Sequence, residues 1–358
     1  MRIVVDINHP AHVHYFKHFI WEMEKKGHTI LITASEKDIA YRLLNAYHFN
    51  FTPLGSYGSS LREKLINIPI LDIRMYNAVK KFKPDLFFGF GSIRAAHVSR
   101  FMRKPCIALD DTEHARWEHM LYVPFTDTIL TPACFTKDFG KKQIRYNGYT
   151  ELAYVHPSRF TPDPAVLTEI GLTPDDPFIV IRFVSWNASH DVGAHGLTLE
   201  TRRKAIAEFE QYGRVFITSE KPLPEEFEKY RISVSPEKMH DLLYYAALLY
   251  GESATMASEC AVLGTHAIFC DPAGRGYTDE EESRYHLVHN FKLDPESQER
   301  SIKKAVELLQ NPHNKEIARQ KRATLLRDKI DVTTFLVWFI DGYPDTMNLI
   351  DKDNAHAQ

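Results

Sequence analysis

Hydrophobic positions follow two alternating rhythms along this chain. Short unbroken apolar runs alternate with stretches whose apolar residues recur every three or four positions. The first pattern reads as strands buried on both faces, the second as amphipathic helices. Ile3-Val4-Val5-Asp6-Ile7 opens the series and stops at Asn8-His9-Pro10. Over residues 13–26, Phe16, Phe19, Ile20 and Met23 share a helical face, and Gly27 stands where a left-handed residue ends a helix. Residues 28–33 read as a strand, and Ser35 is expected to cap a helix reaching Tyr47 with Asp38 in its first turn. The unit repeats as a strand at 85–88, a glycine-bearing turn at 89–92, a helix from Ala95 and a strand at 105–109. Strand, turn and helix in repetition predict a parallel sheet with helices on both faces.

The rhythm lapses between Pro157 and Pro177, where Pro162, Pro164 and Pro174 also fall and no long periodic segment occurs. This is expected to be the connection between two domains. Strands then resume at 178–182, 214–218, 248–250 and 266–269, with helices at 199–212, 237–247 and 255–263 between them. Helices at 297–309 and 315–342 close the pattern. The expected fold class is α/β, with two Rossmann-like doubly wound domains facing a cleft. Their expected limits are 1–156, a linker at 157–177, 178–330, and a helix with its tail at 331–358 packing back on the first domain.

Composition narrows the function classes. A chain of 358 residues, 44% hydrophobic and 25% charged, has ample material for two cores and is unlike disordered, collagenous or coiled-coil proteins. Net charge is −3, so no global positive field gathers nucleic acid. No apolar run reaches the ~18–20 residues of a membrane span. Cys106, Cys134, Cys260 and Cys270 lie far apart with no CxxC spacing, as expected of reduced thiols rather than disulfides or a metal site. With no signal-peptide layout after Met1, the expected location is cytoplasmic.

Ligands of open α/β sheets bind beyond the carboxyl ends of strands, where helix N-termini present unpaired N–H groups. That rule singles out four loops. In Asn8-His9-Pro10-Ala11-His12-Val13-His14, a neutral imidazole can act as general base or donate to an anion; His12 is the first candidate, with His9 and His14 behind it. His-x-His after a first strand also opens metal-dependent hydrolases of the barrel type, with Asp110, Asp111 and His190 as further ligand candidates; the proline-rich break favours two sheets. In Gly251-Glu252-Ser253-Ala254-Thr255, small residues let backbone amides approach a diphosphate, and Glu259 one turn on can accept from a ribose diol. After the strand at 178–182, Arg182 can neutralise phosphate charge, with Ser185 and His190 as substrate contacts. Asp110-Asp111 forms a carboxylate pair in which repulsion raises one pKa. Arg275, in the loop 271–278, can reach a sugar, and the acidic run at 279–282 reads as a solvated face.

The stretch from Ser235-Pro236-Glu237-Lys238-Met239 to Ser258-Glu259-Cys260-Ala261-Val262-Leu263-Gly264 resembles the donor site of the GT-B superfamily of nucleotide-sugar enzymes. The turn carrying His12 looks like that of the N-acetylglucosaminyltransferase making the lipid-linked peptidoglycan precursor, with Asn8-His9-Pro10 in place of glycines. Lys83-Pro84-Asp85 before Gly91, Glu259 and Asp110-Asp111 look similar in placement to the non-hydrolysing UDP-N-acetylglucosamine 2-epimerase. That enzyme's acidic residue after its fourth strand is replaced by Gly91-Ser92. Over nearly the whole chain, beginning with Asp6-Ile7-x-His9-Pro10-Ala11-His12-Val13, the resemblance is to an archaeal and bacterial family catalogued as domain of unknown function 354 and grouped with GT-B enzymes.

These resemblances imply a metal-independent glycosyltransferase of glycan or polysaccharide biosynthesis, using a nucleotide-diphosphate sugar, UDP-linked by expectation, and a sugar or lipid-linked acceptor. The implied roles are base by Met239, ribose on Glu259, phosphates on Ser253, Ala254 and Thr255 with Arg182, and His12 or Asp111 as general base. No cofactor or metal is implied. The alternatives are a sugar-nucleotide epimerase or hydrolase, and a non-catalytic sugar-nucleotide binder. An apolar patch of Leu61, Leu65, Ile66, Ile68 and Ile70 near Arg62 and Lys64 offers either helix core or peripheral membrane contact.

Overall fold

The computed structural model describes residues 1–58, 61–184, 196–219 and 222–347, taking only the backbone at residues 61, 62, 64 and 65. The first domain alternates β1 (Arg2–Ile7), α1 (Pro10–Lys25), β2 (Thr29–Ser35), α2 (Ala40–Ala46), β3 (Phe51–Gly55), α3 (Leu61–Val79), β4 (Leu86–Phe90), α4 (Ile93–Met102), β5 (Cys106–Leu109), α5 (Arg116–Tyr122), β6 (Thr128–Pro132) and β7 (Gln143–Tyr146). These seven strands form one sheet in the order β3-β2-β1-β4-β5-β6-β7, with every pairing parallel. Successive residues of β1 serve opposite faces. Ile3, Val5 and Ile7 pack under α1, whereas Val4 joins Leu71, Met75 and Val79 of α3. Burial on both faces is why the strand reads as an apolar run rather than an alternating one.

The second domain comprises α6 (Ala165–Glu169), β8 (Phe178–Phe183), α7 (Leu199–Phe209), β9 (Arg214–Ser219), α8 (Met239–Tyr245), β10 (Leu248–Gly251), α9 (Ala254–Leu263), β11 (Ala267–Cys270), α10 (Gly276–Ser283), β12 (Val288–Phe291), α11 (Pro295–Gln310) and α12 (Asn314–Asp328). Its sheet is parallel in the order β12-β11-β10-β8-β9. α13 (Val332–Asp341) then packs on α1, where Asp341 accepts from Lys26 at 2.8 Å and contacts the His28 ring at 2.8 Å. One apolar cluster runs through both domains, from Phe16 and Phe88 through Leu152 and Val155 to Ala257, Leu243 and Phe269. The two halves therefore meet over a shared core, not across an open gap.

Several local expectations are corrected. α1 begins at Pro10, because His9 caps it: the His9 ring accepts from Ala11 N–H, so His12 and His14 lie in the helix and not in a loop. Ser35 is the last residue of β2 and caps nothing; its hydroxyl is held by Arg94 at 2.7 Å, and α2 starts five residues later without a side-chain cap. β6, β7 and β12 add strands that the apolar pattern does not signal. The stretch at 315–342 is two helices, because Asp331 accepts from Thr334 N–H at 3.1 Å and starts α13 anew. The connection at 157–177 holds α6 and is tied down by Asp163 N–H donating to Asp241.

On α3, Ile66, Ile70 and Ile73 are exposed and Ile68 is half-buried, while the side chains of Leu61, Arg62, Lys64 and Leu65 lie outside the described residues. Among the described residues no helix is long and apolar enough to cross a membrane.

Candidate functional site

The carboxyl ends of the two sheets meet. On the second-domain side, β10 ends at Gly251, where a Cβ would lie 2.2 Å from the Arg182 carbonyl oxygen. Only glycine lets β10 run this close to β8 and turn directly into α9. Ser253 caps α9, its hydroxyl accepting from Met256 N–H at 3.3 Å. The N–H groups of Ser253, Ala254 and Thr255 come before the first intrahelical bond and donate to no protein acceptor among the described residues. These three residues are half-buried, so the N-terminus of α9 is an accessible anion site with the helix dipole behind it. Arg182 lies beside it on β8 but donates sideways to Thr218 at 3.1 Å. Glu252 takes the N–H groups of Val184 (3.1 Å) and Leu197 (2.6 Å), so each of its carboxylate oxygens is bonded to backbone.

Glu259 follows on α9 and is 5% exposed. Its Oε1 accepts from the Tyr154 hydroxyl at 2.7 Å and contacts His240 Nε2 at 2.9 Å, whereas Oε2 has no hydrogen bond among the described residues. Tyr154 belongs to the first domain, so this bond crosses between the two halves. His14 packs on both rings, 5.5 Å from Tyr154 and 4.6 Å from His240. His14 is buried and held neutral, since burial and the neighbouring His240 and Lys17 push its pKa well down. Met239, at the start of α8, is half-buried.

On the first-domain side the two carboxylates at the end of β5 part company. Asp110 Oδ2 is bonded by His119 at 2.8 Å and by the Tyr122 hydroxyl, and Oδ1 accepts from Thr112 N–H at 2.9 Å. Asp110 is thus held by three groups of its own domain. Asp111 is 5% exposed and takes only two hydroxyls, Thr112 (3.1 Å) and Thr150 (2.8 Å). Burial raises its pKa to about 7, against the Thr150 hydrogen bond, and the adjacent Asp110 adds to the rise. Tyr15 of α1 neighbours both Asp111 and Thr255, and Tyr277 of α10 neighbours both Asp111 and Glu151.

His12 is held in one tautomer. Its Nδ1 accepts from Asn8 N–H at 3.3 Å, which places the ring proton on Nε2. Burial, His9 and Arg94 all lower its pKa. The neutral ring lies beside Phe90 and Tyr15 with an N–H to donate. His9 is exposed and caps α1. Arg275 bonds the Gly274 carbonyl at 2.7 Å and Asp271 at 3.4 Å. Ser185 and His190 lie outside the described residues. Among the described residues no group of three or more His, Cys, Asp or Glu is arranged to hold a metal ion.

Sequence reasoning missed a buried acidic seam. Ser258 Oγ of α9 lies 3.1 Å from Glu151 of the first domain and 2.6 Å from Glu281 of α10. A hydroxyl has one proton to give, so the second contact requires a protonated carboxyl. Burial supplies it, pushing Glu281 up to about 8 and Glu151 well above the ordinary range. The run at 279–282 is thus not a solvated face throughout, since Glu281 is fully buried. Tyr149 donates to Glu280 at 2.8 Å, and Gly276 N–H donates to Glu113 at 3.1 Å, completing the closure. A surface groove of about 620 Å³, lined by Glu22, Lys26, Trp338 and Asp341, lies at the α1–α13 seam and contains none of these groups.

Comparisons with known proteins bear on this geometry. A family model described as protein of unknown function (DUF354) matches residues 1–337. An uncharacterized protein of Methanocaldococcus jannaschii is 28% identical over 282 residues, 75% of this chain and 81% of that one. Among solved structures, the UDP-GlcNAc 2-epimerase from Methanocaldococcus jannaschii superposes with a TM-score of 0.60 at 13% identity, covering 90% of this chain and 99% of its own. A spinosyn rhamnosyltransferase complexed with spinosyn aglycone gives 0.60 at 11% identity, covering 94% and 99%. At such identities the likeness is one of fold, the GT-B architecture of two parallel sheets flanked by helices.

Proposed function

The chain belongs to the DUF354 family, and from that premise we propose that it is a GT-B-type glycosyltransferase using a nucleotide-diphosphate sugar, UDP-linked by preference, in glycan or polysaccharide biosynthesis. The observation that carries the reading is the N-terminus of α9, with three unpartnered N–H groups, Glu259 a turn further on, and Asp111 facing the same junction from the other domain. In this reading the diphosphate lies on Ser253, Ala254 and Thr255, the ribose on Glu259 Oε2, and the base beside Met239. Arg182 turns from Thr218 toward the phosphates.

The acceptor, a sugar or a lipid-linked sugar, sits on the first domain. Its hydroxyl gives its proton to the Asp111 carboxylate and its oxygen bonds to the anomeric carbon. The bond from that carbon to the β-phosphate breaks, and the diphosphate leaves with the electron pair. His12 Nε2–H orients an oxygen of the acceptor. Backbone amides and the α9 dipole stabilise the departing charge, so the step calls for no metal. Calorimetric titration with UDP, GDP and dTDP tests the reading: micromolar binding of at least one supports it, and binding of none overturns it.

A second reading, epimerisation or hydrolysis of the sugar nucleotide, is favoured by one observation. Asp111 and Glu151 are neighbouring buried carboxyls with raised pKa values, to about 7 for Asp111 and well above the ordinary range for Glu151, so that one can take a proton while the other gives one, as acid–base work on a sugar carbon requires. Sugar nucleotide consumed without acceptor supports this alternative, and an inert donor supports transfer.

A further inference from the structure

We infer that Tyr154 and His240 are positioning residues that hold Glu259 with one oxygen occupied, and that the site therefore binds ribo- and 2′-deoxyribonucleoside diphosphates almost equally. This rests on the proposed role of Glu259 as acceptor for a sugar hydroxyl. A carboxylate with both oxygens free can take the two hydroxyls of a ribose at once, and each such charge-assisted bond carries selectivity. Glu259 is not in that state, because Oε1 is bonded by Tyr154 at 2.7 Å and by His240 at 2.9 Å.

The clamp is stiff. Tyr154 is fully buried and His240 is 3% exposed. The His240 ring is wedged edge-on against His14 at 4.6 Å and lies 5.1 Å from Tyr154 and 6.1 Å from Phe160. Rotating the carboxylate to free Oε1 would strand two buried donors, which opposes the motion. Only Oε2 remains.

The hydroxyl it receives is the 3′ one. The phosphates lie on the first turn of α9, and Glu259 stands on the same helix about 7.5 Å further along. The 3′ carbon adjoins C4′, which carries the phosphate-bearing arm, whereas the 2′ carbon adjoins the carbon bearing the base. The 3′-hydroxyl is common to ribo- and 2′-deoxyribonucleotides, so removing the 2′-hydroxyl forfeits no bond to Glu259.

Calorimetric titration of the full chain with two matched pairs, UDP with dUDP and GDP with dGDP, tests this. In the pair that binds, the two Kd values are expected to agree within about threefold. In Tyr154→Phe, which keeps the ring, Oε1 loses one of its two partners, and in Tyr154→Phe/His240→Leu it is released, so the preference for the ribo form is expected to widen stepwise, to about tenfold in the double variant. A tenfold ribo preference in the unmodified protein, or an unchanged ratio in both variants, overturns the inference while leaving the nucleotide site standing. Failure of all four nucleotides to bind overturns that site and the inference with it.

Discussion

The Tyr154 hydroxyl of the first domain donates to Glu259 Oε1 of the second at 2.7 Å. One bond thus links the fold's closure to the residue on which the functional reading turns. Four further contacts cross nearby, from Tyr149, Glu151 and Glu113 of the first domain and from Lys329 to Asn147, so the junction is a polar seam laid over a shared apolar core.

Asp111→Asn is expected to lower glycosyl transfer by about 100- to 10,000-fold, the usual range for losing a general base, with the nucleotide Kd unchanged within a factor of about three. In the unmodified enzyme kcat is expected to rise with pH through about 7, because the base form is the carboxylate and burial has raised its pKa to that value. Steady-state rates across pH 5–9 check both.

Glu281→Gln is expected to stabilise the protein at alkaline pH. A carboxyl with a raised folded pKa binds its proton more tightly folded than unfolded, so its contribution is full below the unfolded value of 4.5 and is lost as pH rises to about 8. The glutamine carries no such penalty. Urea unfolding at pH 4.5 and pH 8.5 should show the variant losing less stability between the two.

Arg94→Met is expected to cost about 3–5 kcal/mol, the range for removing one partner of a buried pair. Arg94 and Asp6 are both fully buried, with N···O at 2.7 Å, and Thr33 and Ser92 complete the carboxylate's bonds. The urea midpoint measures it. The pair sits under the β1 turn, so the variant also tests whether that turn is a rigid support for His12.

Gly276→Ala is expected to part the domains. A Cβ there would stand 2.3 Å from the Cys134 carbonyl oxygen and 2.6 Å from Glu113, both in the first domain. The expected outcome is a larger radius of gyration by small-angle scattering, with stability lower by roughly 1–3 kcal/mol, as overpacking costs.

How far these features were legible follows from where their signals lie. β1, β4 and β8 are written as apolar runs because both faces are buried, and α9 is announced by Gly251 and the small residues after it. β6, with Thr128 and Thr131 in its four residues before Pro132, and β7, with Gln143 and Arg145, are short and half polar, so the pattern passes over them. The joint at Asp331 hides between two helical periodicities, since a capping aspartate resembles any surface acid until its bond to Thr334 N–H is seen. The Asp110-Asp111 pair was readable as a split pair, but not which member is spent on His119 and Tyr122. Glu151, Tyr154 and Glu281 carry no local mark. They become a site only when a short turn of one domain meets two helices of the other.

A crystal structure of the protein with UDP tests the central claim most directly. The account predicts phosphate oxygens within hydrogen-bond reach of the Ser253, Ala254 and Thr255 N–H groups, with the ribose 3′-hydroxyl on Glu259 Oε2. A nucleotide bound elsewhere, with the N-terminus of α9 and Glu259 Oε2 unliganded, would contradict it.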